Sequence, residues 1–284
     1  KDTPGARLRR LLRGQACVPF ASVFDPLSAR AAAELGYEAT FLAGSVAALA
    51  VLGAPDMSLL TLSEFAGLAG RISRAGTLPL MVDADHGYGN ALNVRRCVEE
   101  LSWAGVGGMT LEDTALPQPF GQGLAMISAE EALGKLTAAL EARPDPDFVV
   151  IARTSAYLIE GIDGACTRVA AYAAAGPDGI FVAGLKTRAE LAAVRDAAGG
   201  LPLVIYATGG EITPEADLAS LGVRLLIVGH APFMSAAAAA HQTLAAQRGL
   251  TPASGGTRAL VAQLSEDAEH RARAERFLRS GSPQ

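Results

Sequence analysis

Cysteine is scarce in this chain of 284 residues. The three present, Cys17, Cys97 and Cys166, are scattered and show no C-x-x-C spacing, which reads as a cytoplasmic protein with reduced thiols. Aromatic residues make up only 5%. No run of about 18 apolar residues occurs, so no membrane span is expected. No large basic block occurs either, and the formal net charge is -5, which argues against a nucleic-acid partner. Residues 1–13 are basic but lack the apolar core of a signal peptide; they read as a short helix carrying Leu8, Leu11 and Leu12. A Gly-rich dinucleotide fingerprint is also missing.

Apolar residues are plentiful, at 50% of the chain, enough for a sizeable core. Alanine and glycine are abundant, which suits close helix-on-sheet packing. From Val18 a strand–helix rhythm repeats. Candidate strands fall at 20–24, 39–43, 78–82, 108–112, 148–152, 179–182, 203–206 and 225–228. Helical patterns fall at 26–35, 62–75, 91–104, 128–142, 161–174, 188–197, 214–221 and 232–247. Several end in glycine, at Gly36, Gly105, Gly176 and Gly222, as helix C-termini do. Eight apolar strands alternating with helices predict an α/β fold of the (β/α)8 TIM-barrel type, with a doubly wound open sheet as runner-up. The barrel would occupy residues 1–248. A Gly/Ser/Pro linker at 249–256 and a charged helix at 258–279 would follow, packed on another subunit or on the barrel's outside.

The stretch Leu78-Pro79-Leu80-Met81-Val82 runs into Asp83-Ala84-Asp85-His86-Gly87-Tyr88-Gly89-Asn90. Side chains two apart in a strand share a face, so Asp83 and Asp85 are expected to point the same way. Asn90 is placed to cap the following helix. Like charges this close call for a cation or a shared proton. A hard divalent ion with oxygen ligands, Mg2+ or Mn2+, fits; a solvated Asp-rich turn is the structural alternative.

The active site of such a barrel forms at the carboxyl ends of its strands. There the sequence delivers Asp25, then Gly44-Ser45 with Asp56 in the next loop, then Asp83 and Asp85. Glu112 and Asp113, Arg153, Tyr206 and Gly229-His230 follow. Singly, Arg153 reads as a salt-bridge partner and His230 as a structural histidine; together they mark one mouth. Asp56, Asp83, Asp85 and Glu112 give a carboxylate shell for Mg2+. Arg153 offers a fork for a carboxylate. Gly44 and Ser45 offer donors to a substrate oxygen. The expected substrate is a small anion that chelates the metal, such as a 2-oxo acid.

These residues resemble the phosphoenolpyruvate mutase/isocitrate lyase superfamily. The carriers are Phe24-Asp25-Pro26-Leu27-Ser28-Ala29, Gly44-Ser45, residues 83–90, Leu111-Glu112-Asp113 and Ile151-Ala152-Arg153-Thr154. The resemblance implies direct metal binding by Asp85, water-mediated binding by Asp56, Asp83 and Glu112, and substrate contact by Arg153. It also implies a final helix exchanged between subunits, with dimers pairing into tetramers. The loop after the fourth strand reads Glu112-Asp113-Thr114-Ala115-Leu116-Pro117-Gln118-Pro119-Phe120-Gly121. It has neither the cysteine of the lyases nor the lysines and asparagine of the mutase, whose places are taken by Thr114, Gln118 and Phe120. With Tyr206 and His230, this loop looks most like that of the superfamily's oxaloacetate decarboxylases. The implied reaction is Mg2+-dependent decarboxylation of oxaloacetate to pyruvate and CO2 through an enolate. Arg153, His230 and Tyr206 are its catalytic candidates; Gly44, Ser45, Arg153 and His230 its substrate-binding candidates. Two alternatives stay open: carbon–phosphorus chemistry or another 2-oxo-acid lyase on the same scaffold, and a silent barrel that only binds an oxo acid. Residues 117–125 are the candidate lid.

Overall fold

A computed structural model describes residues 2–118, 121, 123–207, 209–213, 217–251 and 255–278. Eight parallel strands pair in chain order and close, the first strand meeting the eighth through Val18 with Leu225 and Phe20 with Ile227. They are β1 (Val18–Ser22), β2 (Thr40–Leu42), β3 (Leu80–Asp83), β4 (Gly108–Glu112), β5 (Val149–Thr154), β6 (Gly179–Val182), β7 (Leu203–Tyr206) and β8 (Val223–Ile227). The expected TIM-type barrel is what forms. Strands buried on both faces carry continuous apolar runs, and β2, β3, β4 and β6 are buried at every position. Phe20, Phe41, Met81, Met109 and Phe181 are among the largest fully buried side chains or nearly so.

The helices are α1 (Pro4–Arg13), α2 (Pro26–Glu34), α3 (Gly44–Leu52), α4 (Leu62–Ala75), α5 (Ala91–Trp103) and α6 (Ala129–Glu141). Then come α7 (Ala156–Ala174), α8 (Arg188–Ala197), α9 (Ala231–Gln247), α10 (Gly256–Leu264) and α11 (Asp267–Leu278). Side chains start several of them. Asp25 with Ser28, Thr61 with Glu64, Asn90 with Asn93 and Thr187 with Glu190 form reciprocal capping boxes. Gly36, Gly105, Gly176 and Gly222 all take the left-handed backbone expected of them.

Helix α1 closes the amino-terminal end of the barrel. Leu8 and Leu12 are buried, Arg9 pairs with Asp178 at 2.7 Å, and a Cβ at Gly5 would stand 2.3 Å from the carbonyl oxygen of Asp147. Arg9 therefore ties the helix to the strand ends, while Arg10 and Arg13 lie on its exposed face.

Four helical expectations change. An unforeseen helix, α3, follows β2. The pattern at 161–174 begins earlier, at Ala156, because Gly161 is a kink inside α7 (φ 71°) and not its start. The pattern at 214–221 is a 3-10 turn, Ala219–Leu221; residues 214–216 lie outside the described set. The charged helix at 258–279 is two helices, broken where Glu266 takes φ 53°. Asp25, expected at the mouth, is instead spent on the cap of α2, its Oδ1 accepting from the Ser28 amide at 2.7 Å.

Candidate active site

Strand β3 ends at Asp83, and strands β4 and β5 bring its partners beside it. Thr110 Oγ1 donates to Asp83 Oδ1 at 2.8 Å. Arg153 Nη1 donates to Asp83 Oδ2 at 2.5 Å, and Arg153 Nη2 stands 3.0 Å from Glu112 Oε2. The guanidinium lies over the Phe181 ring, 5.2 Å from its centroid, and Phe181 meets Tyr206 edge-on at 5.0 Å. One fork thus bridges two carboxylates above an aromatic ring. Burial disfavours the Arg153 charge, but Asp83 and Glu112 outweigh burial and hold it protonated.

Asp85 reaches the same place by another route than the pleat. The strand stops at Asp83, and Asp85 turns in the left-handed region with φ 46°. A left-handed turn, not strand alternation, therefore brings Asp85 to the cavity that Asp83 also borders. Aspartate is one of the few side chains that tolerate this backbone, which recurs at functional sites. Backbone bonds hold the turn: the Glu112 amide donates to the Asp85 carbonyl at 2.8 Å, and the Gly87 amide to that of Ala84 at 2.8 Å. The Asp85 carboxylate lies against Gly44, the first residue of α3, which has no side-chain cap. Negative charge is favoured at a helix N-terminus. A Cβ on Gly44 would stand 2.6 Å from Asp85 Oδ1. Gly44→Ala is expected to push this carboxylate aside and cut activity at least about tenfold, with Tm held within a few degrees. Parallel rate and thermal-melt measurements check it, and an unchanged rate would contradict the contact.

Burial raises the pKa of Asp85 well above the usual carboxylate range, and the charges of Asp83, Asp56 and Glu112 raise it further. Burial likewise pushes Glu112 up to about 7, against the opposing pull of Arg153. Asp56 is raised by burial first and by Asp83 second. One guanidinium does not neutralise four carboxylates, so the site favours an added cation or protons. Its donors are hard oxygens, the set that Mg2+ takes. Among the described residues no three His, Cys, Asp or Glu side chains gather closely enough to hold one ion directly.

Ser45, Asp56, Asp83, Asp85, Glu112, Arg153 and Tyr206 all border one cavity of about 1050 Å3 at the barrel mouth. Gly44 lies next door, in a side pocket of about 270 Å3 that also touches Asp56 and Asp85. His230 is not among the residues bordering the large cavity. It begins α9, with its ring edge-on to Tyr206 at 6.4 Å, and burial lowers its pKa. Asp113 is absent from the mouth as well. It is 1% exposed and accepts hydrogen bonds from Thr154 Oγ1 at 2.7 Å, Tyr172 OH at 2.7 Å and the Ser155 amide at 3.2 Å. Thr114 and Gln118 are described; Phe120, from the same loop and the candidate lid, lies outside the described residues.

Two contributors were not read from sequence. Thr110 sits two residues before Glu112 on the same face of β4, so the alternation that placed Glu112 would have found it. Helix α11 adds Arg271 and Glu275 to the cavity wall, and no motif announces this.

Residues 8–248 match the family described as phosphoenolpyruvate phosphomutase. The chain belongs to that family. An oxaloacetate decarboxylase of Rhodopseudomonas palustris (strain BisB18) is 50% identical over 246 residues, 86% of this chain and 85% of that protein. An oxaloacetate decarboxylase of Bradyrhizobium sp. (strain BTAi1 / ATCC BAA-1182) is 44% identical over 97% of both chains. Among solved structures, a phosphonopyruvate hydrolase in complex with oxalate and Mg2+ superposes with a TM-score of 0.76 at 29% identity. The match covers 98% of this chain and all of that one. Membership of the phosphoenolpyruvate phosphomutase family agrees with the resemblance carried by residues 83–90.

Proposed function

We propose that this chain decarboxylates oxaloacetate to pyruvate and CO2 with the help of Mg2+. The observation that carries the reading is one cavity bordered by Asp56, Asp83, Asp85, Glu112 and Arg153. The 50% identity to an oxaloacetate decarboxylase directs the choice of reaction. Asp85 would hold Mg2+, or Mn2+, directly; Asp56, Asp83 and Glu112 would hold its waters. A cation bound there supplies Lewis-acid stabilisation of negative charge on a substrate oxygen.

The chain's own residues do the rest. Ser45 and the open amides at the start of α3 donate to the substrate's C1 carboxylate. Arg153, fixed by Asp83 and Glu112, faces the C2 oxygen and favours the charge that grows there. The C3–C4 bond breaks, C4 leaves as CO2, and the pair from that bond remains on the three-carbon fragment as the enolate of pyruvate. C3 then takes a proton. Tyr206, which borders the cavity, would give it; its hydroxyl is held protonated by burial first and by Asp83 second. His230, packed edge-on against Tyr206, would help hold that ring in place. His230→Ala is expected to lower kcat about tenfold with little change in KM. A rate equal to the wild type would remove His230 from the mechanism.

The raised carboxylates also give a sign to pH dependence. Glu112 takes its proton near 7 in the folded chain and near 4.5 when unfolded. The metal-free fold therefore binds extra protons between about 4.5 and 7, and loses stability as pH rises through that window. Mg2+ competes with those protons. Added MgCl2 should leave Tm nearly unchanged at pH 5 and raise it by roughly 5 °C at pH 8. A shift of equal size at both pH values would contradict it.

A homo-oligomer is part of the same reading. No described side chain of α9 is buried, and Leu27, Leu35 and Leu244 are exposed, so apolar surface is left for a second copy. The direct test of the reaction is an assay of oxaloacetate, phosphoenolpyruvate, phosphonopyruvate and 2-methylisocitrate, side by side with Mg2+. Turnover of oxaloacetate alone is expected. Turnover of a phosphonate instead would move the assignment to carbon–phosphorus chemistry.

A further inference from the structure

Tyr88 has no part in the reaction outlined above, yet its placement is costly. Its hydroxyl is buried and meets no hydrogen-bond partner. An unpaired buried hydroxyl costs about 1–3 kcal/mol. Its backbone takes φ 63°, a region that aromatic residues rarely enter. Core packing explains the ring, which tilts against Phe65 at 6.0 Å and against His86 at 6.2 Å. Packing does not explain the oxygen, since phenylalanine would fill the same space.

The place of Tyr88 in the fold does suggest a use. Tyr88 borders the side pocket of about 270 Å3 whose other walls include Gly44, Asp56 and Asp85. Burial and the negative charge of Asp85 keep the phenol protonated, so it acts as a donor. Ionised carboxylates only accept; Ser58, His86 and Tyr88 are the side-chain donors that border this pocket.

We propose that the Tyr88 hydroxyl belongs to the cation site, donating to the oxygen shell that Asp56 and Asp85 organise. It is a positioning residue: it tunes how firmly the ion is held and does not touch the reacting carbon. This inference rests on the Mg2+ reading given above.

The test is Tyr88→Phe, which keeps the ring and removes only the oxygen. Both metal-free proteins are titrated with MgCl2 by calorimetry, well below their melting temperatures, and their metal-free Tm values are compared. The expected result is a Mg2+ Kd weakened about three- to tenfold, with a metal-free Tm equal to or above that of the wild type. A purely structural hydroxyl would give the reverse, a lower metal-free Tm and an unchanged Kd, and would overturn the proposal. So would equal affinity and equal Tm. If the wild type itself takes up no Mg2+, the cation reading falls first and this inference with it; a wild type that binds beside an unaltered Tyr88→Phe removes only the role of Tyr88.

Discussion

Asp85→Ala should abolish decarboxylation and Mg2+ binding together. Asp85 is the carboxylate that Asp83, Asp56 and Glu112 all push toward protonation, so it is the one most relieved by a cation. Its backbone is bent into the left-handed region to reach this position, and Gly44 gives up its side chain to admit it. Metal stabilisation of developing charge is worth several kcal/mol. At about 1.4 kcal/mol per tenfold, its loss costs roughly three decades or more in kcat/KM. The fold should survive. Removing one of several repelling carboxylates lowers their mutual repulsion, so the metal-free variant is expected to melt at or above the wild-type temperature. Rate assays, Mg2+ calorimetry and thermal melts on the same preparation check all three outcomes. A variant that still turned over oxaloacetate in a metal-dependent way would remove Asp85 from the centre of the site.

Arg153→Gln should be nearly as damaging, for a different reason. Arg153 is the cation that both Asp83 and Glu112 contact, at 2.5 and 3.0 Å, and all three side chains are largely buried. Removing one partner of a buried ion pair costs about 3–5 kcal/mol, because the remaining charge is left uncompensated. Here two charges are left. The metal-free variant should lose that stability, and added Mg2+ should restore part of it, since the ion takes over some of the compensation. Catalysis should fall by about 10^2- to 10^3-fold even with saturating Mg2+, the usual loss for a donor aimed at developing charge. Arg153→Lys should not rescue it: a single ammonium lacks the two separate Nη donors that reach Asp83 and Glu112. Rates, with melts taken with and without MgCl2, test this, and a Lys variant of wild-type activity would contradict the bridging role.

Much of the site was legible because chemistry and secondary structure coincide in short stretches. A buried apolar run ending in Asp83, a glycine turn and a capping Asn90 identify a strand end from composition alone. So do Glu112 and Arg153 at the ends of β4 and β5. The barrel was legible because parallel strands covered on both faces leave apolar runs at regular spacing. What failed has local causes. Helix α3 was missed because Gly44–Leu52 is almost uniformly apolar, with no helical period and no side-chain cap to announce it. The break at Glu266 was missed because no glycine or proline marks it. Gly161 misleads in the other direction: in sequence it looks like a helix start, and in the fold it is a kink inside α7. The positions of His230, behind Tyr206, and of Asp113, beneath the rim, depend on tertiary packing that no window of sequence displays.

The most direct test of the account is decarboxylation by enzyme stripped with EDTA and then given back Mg2+, with pyruvate measured above the rate that the same Mg2+ produces without protein. The account predicts no enzymatic turnover in EDTA and a saturable return of pyruvate formation as Mg2+ is added. Full turnover of oxaloacetate in excess EDTA would contradict it.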